Sequence, residues 1–328
     1  MKRKLFRVIG TLLACMGVMM LTTSQRLSPH FDARPAIAAM TRRGIINDRA
    51  SWQTIRTQTD NGRQITSVRQ LSRLLQRANR HSFAVSNIQQ VEHHQLPSLV
   101  TDHRLKLINV PGFFSQRRAI QKQYWQRLQA LLKQASPASQ LILNFANNTG
   151  GLAEPMIAGL AAIIPDGTLY TGLDNHGRAF PRTLHHGHLS DSLGQESLTF
   201  QPPKRLYFKH ITVIVGEQTA SAAEITLMAL KRNPHVTLVG HPTAGYTSLN
   251  SGVYLNTGAA AVLTIGTLKS TVKIHGQQLF NNQPLIPDVT TLYQPLAPTR
   301  TGHHRQSAHL DPDFISELQT IARSQGSQ

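Results

Sequence analysis

The sequence predicts an α/β protein: parallel strands joined by crossover helices, behind a small helical N-terminal unit. Three observations carry this. Two nearly continuous apolar runs, "QLILNF" (140–145) and "HITVIV" (210–215), read as buried strands. Each is followed by a small-residue turn, "ANNTGG" or "GEQTAS", and then by a helix-like stretch. The order strand, helix, strand, turn, helix over 104–164 requires crossovers, and crossovers imply parallel strands.

The elements follow in chain order. Residues 26–47, mixed and containing Pro, read as a linker. Residues 48–103 read as a helical domain, in which Val68, Leu71, Leu74 and Leu75 share one helix face. "VEHHQLPSLVTDH" within it reads as loop. The core spans 104–300 and opens with the strand "RLKLINV" and the amphipathic helix 115–135. Residues 165–205 are irregular, with a hairpin at "TLYTGLDNHGRAF". After Ser221 come a helix, the strand "VTLVG", and short strands at "GVYLN", "AAVLTIGTL" and "TVKIH". "PLIPDVT" closes the core. The tail, 301–328, carries one helix, with Asp311 as N-cap and Pro312 after it.

Charge and the N-terminus bound the setting. The 328 residues carry a formal charge of +18. "MKRKLFRVIGTLLACMGVMMLTT" places four basic residues before an apolar stretch, the layout of a secretory signal or an uncleaved anchor over 1–25. "LLAC" also loosely resembles a lipoprotein box around Cys15, the only cysteine. Without residues 1–25 the chain keeps 30 basic against 16 acidic residues, a net +14, and no thiol. The basic residues are scattered, with little aromatic interleaving. An anionic cell-wall polymer or membrane surface is the expected counter-charge, rather than nucleic acid.

Three stretches bear chemistry. Ser221 lies between a strand and a helix, where free N–H groups at the helix start can stabilise an oxyanion. The same position suits a plain N-cap serine. "NNTGG" lets backbone approach a ligand closely, and it also suits a tight turn. His81, in "NRHSF", is one histidine of 16, set apart by its place at a helix exit beside an aromatic residue.

In combination, "HSF", "NNTGG", "TASAAE", "GHPTAG" and "IPD", in that order, resemble the C-terminal processing (tail-specific) serine peptidases over roughly 48–290. The match is closer to the branch with the tricorn core and the retinoid-binding-protein-like peptidases. The resemblance implies a crotonase/ClpP-like spiral core and a peptide or protein substrate. It implies Ser221 as nucleophile with Glu224 three residues on, His81 as general base, and an oxyanion hole from the Ala222 N–H with Gly150 or Gly151. It implies no cofactor.

Three departures from that family stand out. The lysine of a Ser–Lys dyad would fall at Tyr246. The family's Asp and Arg near the hole are Asn144 and Ala146 here. No PDZ domain fits between His81 and Leu105. The orienting acid stays open: Glu224 is close in sequence to Ser221, and Asp288 reads as a cap for backbone N–H groups. Lys269 and Lys273 are minor candidates for a replacement base. His185, His186, His188, His303 and His304 read as solvated loop residues rather than metal ligands. The leading expectation is an exported serine peptidase. The alternatives are a non-catalytic peptide- or lipid-binding protein on the same fold, held at the cell surface by its charge, and a wall-binding protein whose charge is its function.

Overall fold

The computed structural model describes residues 31–87, 93–102, 105–136, 140–190, 196–296 and 310–326. The segment 1–25 with Cys15, and His303 and His304, lie outside them.

Residues 34–43, expected to be linker, form helix α1 (Arg34–Arg43). Pro35 does not break it, because in the first turn its missing N–H has no intrahelical partner to lose. Ala36, Ile37, Ala39 and Met40 make the buried face. Helix α2 (Arg49–Gln58) starts at Asp48, whose side chain accepts from the Ser51 N–H. Helix α3 (Val68–Ala78) starts at Ser67, which accepts from Gln70 N–H. Leu71 and Leu75 are buried, and Val68 and Leu74 pack at the same cluster's margin. That cluster also contains Leu255, Ala259, Ala261 and Leu263. The helical unit therefore shares its core with a sheet of the main body.

That sheet has eight strands. It contains β1 (Phe83–Val85) and, further along the chain, β5 (Gly167–Asp174), β6 (Ala179–His185), β7 (His188–Ser190), β8 (Glu196–Thr199), β11 (Ser248–Tyr254), β12 (Ala260–Ile274) and β13 (Gln277–Phe280). β12 pairs antiparallel with β1, β5, β11 and β13. The two short strands expected at "AAVLTIGTL" and "TVKIH" are this one 15-residue strand. Lys269 and Ser270, between them, stay in register with Thr171 and Tyr170. The interior Gly266 is explained by close approach, since a Cβ there would sit 2.5 Å from Leu173 O.

The second sheet has six strands, in the order β14 (Val289–Thr290), β10 (Val236–Gly240), β9 (His210–Val215), β4 (Gln140–Asn144), β3 (Leu105–Asn109), β2 (Ser98–Asp102). All pairings are parallel except β2–β3. Residues 98–102, expected to be loop, thus form an antiparallel edge strand. Its apolar content is too low for a buried strand, and Leu99 is 41% exposed.

Strand alternation sorts this sheet's two faces. Leu141, Leu143, Ile211, Val213 and Val215 meet α4 (Arg118–Ala135), α5 (Ala153–Leu160) and α6 (Ala222–Leu230) in the largest cluster. Ile142, Ile214 and Val239 face Phe314, Ile315 and Leu318 of α7 (Pro312–Gly326). α7 is capped as expected, Asp311 accepting from Asp313 and Phe314 N–H groups. Every residue of α6 is buried, including Glu224 and Thr226 in an otherwise apolar helix. The mixed α/β core expected from the sequence is what the chain forms. None of the described helices is long and apolar enough to cross a membrane.

Candidate active site

β4 and β9 are adjacent and parallel, so the turns leaving their C-terminal ends lie side by side. In open parallel sheets that end is where ligands bind. The two turns are stitched together. The Thr219 hydroxyl donates to Phe145 O and accepts from Gly216 N–H. Ala220 N–H donates to Asn148 O. The Asn148 amide donates to Val110 O, which anchors the first turn to the end of β3.

Ser221 stands at the start of α6 with φ 55° and ψ −117°. These angles belong to the first central residue of a type II′ turn, a place that favours glycine. A serine held there costs on the order of 1–3 kcal/mol. Gly150 and Gly151 run against it, both with positive φ. A Cβ on Gly150 would lie 2.9 Å from Ser221 Cβ and 3.2 Å from Ala222 N. A Cβ on Gly151 would lie 2.0 Å from Phe113 O. The two glycines differ in their N–H groups. Gly150 N–H donates to Asn148 Oδ1 at 2.9 Å. The N–H groups of Gly151 and Ala222 have no acceptor among the described residues.

Glu224, fully buried, is the hub of the site. Its Oε2 accepts from Ser221 N–H at 2.7 Å and Tyr246 N–H at 2.8 Å. Its Oε1 accepts from Gly245 N–H at 2.9 Å and from the Thr243 hydroxyl. Burial pushes its pKa up to about 7, while the four donors pull it down. The carboxylate joins the Ser221 turn to the loop after β10, and no hydrogen bond links it to His81 among the described residues.

His81 is 2% exposed. Its N–H donates to Asn79 Oδ1, which fixes the backbone. Its ring stacks on Tyr246, centroids 4.0 Å apart and planes 13° from parallel. Arg80 Nε donates to His81 Nε2 at 3.0 Å, and the Asn282 side chain interacts with the ring and favours its protonated form. Burial, and then the Arg80 charge, hold the imidazole pKa down at about 4. Among the described residues no hydrogen bond joins His81 to the Ser221 hydroxyl.

This burial has a measurable consequence. Below pH 6.5 the unfolded chain takes up a proton that folded His81 refuses until about pH 4. Stability carried by neutral His81 is therefore lost as pH falls through that window, by on the order of 2–3 kcal/mol. Glu224 works the other way between about 4.5 and 7, because its folded form takes the proton first. That contribution is common to wild type and His81→Gln, so it cancels in their difference. The stability difference between the two is expected to shift in favour of His81→Gln from pH 6.5 to 4. Urea titrations at several pH values check this, and a pH-independent difference contradicts it.

The remaining candidates fall outside the cluster. Asp288 Oδ2 accepts from Leu238 N–H and from Lys231 Nζ, a structural role as expected. Asn144 accepts from Ala146 N–H and donates to Asn109 Oδ1, so this position forms an uncharged amide pair. Lys269 and Lys273 are exposed on β12. His185, His186 and His188 are also exposed. His185, His186 and Asp166 bring ligand atoms within 4.8 Å of one another. A cation there would compete with Arg205, 2.6 Å from Asp166 Oδ1. Arg80, Thr219, Thr243 and the Tyr246 stack escaped the sequence reading. Thr219 and Thr243 do lie inside the motifs "TASAAE" and "GHPTAG".

A strained serine turn at a helix start, beside a glycine turn whose Gly151 N–H has no acceptor among the described residues, is an arrangement met in α/β serine hydrolases. Comparison of sequences narrows that class. The chain belongs to peptidase family S41, which matches residues 105–291. It is 32% identical over 151 residues to the nisin-resistance protein of Lactococcus lactis subsp. lactis, covering 46% of each chain. It is 34% identical over 128 residues to the chloroplastic carboxyl-terminal-processing peptidase 3 of Arabidopsis thaliana, covering 38% of this chain and 21% of that one. The matches thus span less than half the length of these curated relatives. Among solved structures, a lipoprotein from Streptococcus agalactiae has 26% identity and a TM-score of 0.65. That likeness covers 82% of this chain and 95% of the other.

Proposed function

We propose that this chain is a serine peptidase working outside the cytoplasm. Ser221 Oγ attacks a peptide carbonyl. His81 takes the hydroxyl proton and returns it to the leaving amine. The N–H groups of Ala222 and Gly151 hold the oxyanion. Gly150, whose N–H is already taken by Asn148, shapes the loop instead. Glu224 positions Ser221 and the 243–246 loop rather than orienting His81. The observation that carries this reading is the strained Ser221 backbone beside two N–H groups, of Ala222 and Gly151, without acceptors among the described residues. The relative named for nisin resistance makes nisin the first substrate to offer. The relatives, one a lipoprotein, and the basic, then apolar, N-terminus support export. The excess positive charge supports retention on an anionic wall polymer or membrane.

For His81 to act, its Nε2 must exchange the Arg80 donor for the Ser221 hydroxyl. Catalytic hydrogen bonds often tighten only with substrate bound. The same Arg80 contact favours a second reading, a non-catalytic peptide-binding protein on this fold. Fluorophosphonate labelling separates the two. The wild-type chain is expected to label once, and His81→Ala to label about 100-fold more slowly. No label on folded wild type selects the binding protein. Unchanged labelling of His81→Ala removes His81 as base.

A further inference from the structure

We propose that Tyr246 is a positioning residue for His81. Its ring lies flat on the imidazole, while its backbone N–H shares a Glu224 oxygen with Ser221, so one residue ties base to nucleophile. The proposal rests on the reading of Ser221 and His81 given above.

Three observations bear it. The stack is close and nearly parallel, at 4.0 Å and 13°. The tyrosine is 42% exposed and the histidine 2%, so the phenol ring lies on the solvent side and helps cover the imidazole. Tyr246 N–H and Ser221 N–H reach the same Glu224 Oε2 at 2.8 and 2.7 Å, which registers the loop against the serine turn.

The other partners of His81 do not do this. Asn79 holds only its backbone, Arg80 is its sequence neighbour on the N-terminal unit, and Asn282 meets the ring from the segment after β13 without sharing the Glu224 anchor. Arg80 in turn donates to Asn282 O. The charged group in contact with the ring is thus Arg80, and the other titratable group is Tyr246 itself. Glu224 stands behind the Tyr246 N–H. An ammonium at position 246 would add a second cation beside Arg80 and disfavour protonation of the base. An uncharged aromatic ring supplies cover and a flat seat without that repulsion. The departure from a Ser–Lys dyad at this position then makes physical sense in a site that uses histidine.

The test compares full-length wild type, Tyr246→Phe and Tyr246→Leu. One readout is the rate of fluorophosphonate labelling against pH. The other is the His81 titration by NMR, assigned with His81→Gln. Tyr246→Phe keeps the ring and is expected to label within twofold of wild type. Tyr246→Leu is expected to label at least tenfold more slowly. It should also move the His81 midpoint from about 4 toward 6.5 as water reaches the ring. A merely structural loss would lower labelling without moving that midpoint in the folded protein. The proposal is overturned if Tyr246→Leu matches wild type in both readouts, or if Tyr246→Phe is damaged as much as Tyr246→Leu. If wild type does not label at all, the reading of Ser221 fails. The titration still decides the stack, since a midpoint unmoved in Tyr246→Leu overturns it and a raised one supports it.

Discussion

Replacing Ser221 with glycine is expected to abolish fluorophosphonate labelling and to make the protein more stable. Both effects come from one feature, the φ of 55° and ψ of −117° at this residue. Glycine occupies that region without the Cβ clash that serine carries, so strain of on the order of 1–3 kcal/mol is relieved. The greater freedom of glycine in the unfolded chain takes back about 0.5–1 kcal/mol. A net gain of about 1 kcal/mol corresponds to roughly 1–2 °C in Tm for a chain of this size. Ser221→Ala is the control. It also loses the hydroxyl, but it keeps the Cβ and so keeps the strain. Calorimetry of the three proteins reads the result directly. A glycine variant no more stable than the alanine variant would remove backbone strain from the account. Labelling that survives in either variant would remove Ser221 as nucleophile.

The second large effect is expected at Glu224, and it is one of stability first. Its carboxylate accepts from three backbone N–H groups and the Thr243 hydroxyl, with no exposure to water. Glu224→Ala leaves those donors buried without an acceptor. Each costs about 1–3 kcal/mol, discounted where the loop can relax or admit water, so a total loss of about 3–5 kcal/mol is expected. Glu224→Gln keeps the shape but turns an NH2 group toward donors, and a smaller loss follows. Labelling should fall in both, because the Ser221 turn and the Tyr246 loop no longer share an anchor. Denaturant midpoints for wild type and the two variants check the order. A Glu224→Ala protein as stable as wild type would mean that the loop finds its acceptors elsewhere. Labelling that stays at the wild-type rate in a destabilised variant would confine Glu224 to folding.

Much of the scaffold was legible because it is written in local signals. Continuous apolar runs at 140–145 and 210–215 cannot be satisfied at a surface, so they had to be central parallel strands. Small-residue turns after both strands then had to lie together at one end of the sheet, and there the strained serine and the two glycines meet. The motif order pointed to the family for the same reason, since those residues are the turns themselves. α1 was missed because Pro35 is ambiguous in sequence, a linker residue or a first-turn residue, and only burial against the other helices and β12 decides which. β12 reads as two strands in sequence because the polar Lys269–Ser270 pair interrupts its apolar pattern, while ladder pairing to β5 carries it through.

The sequence by itself determined the strand–turn–helix units, the serine at the start of a helix and the excess of positive charge, since each depends on neighbours in the chain. Only the tertiary structure decided that Gly150, not Gly151, gives its N–H to Asn148, that Glu224 accepts from backbone N–H groups and the Thr243 hydroxyl, and that Tyr246 stacks on His81. Those outcomes depend on which polar group reaches a partner first across segments far apart in sequence, and no local pattern records that competition.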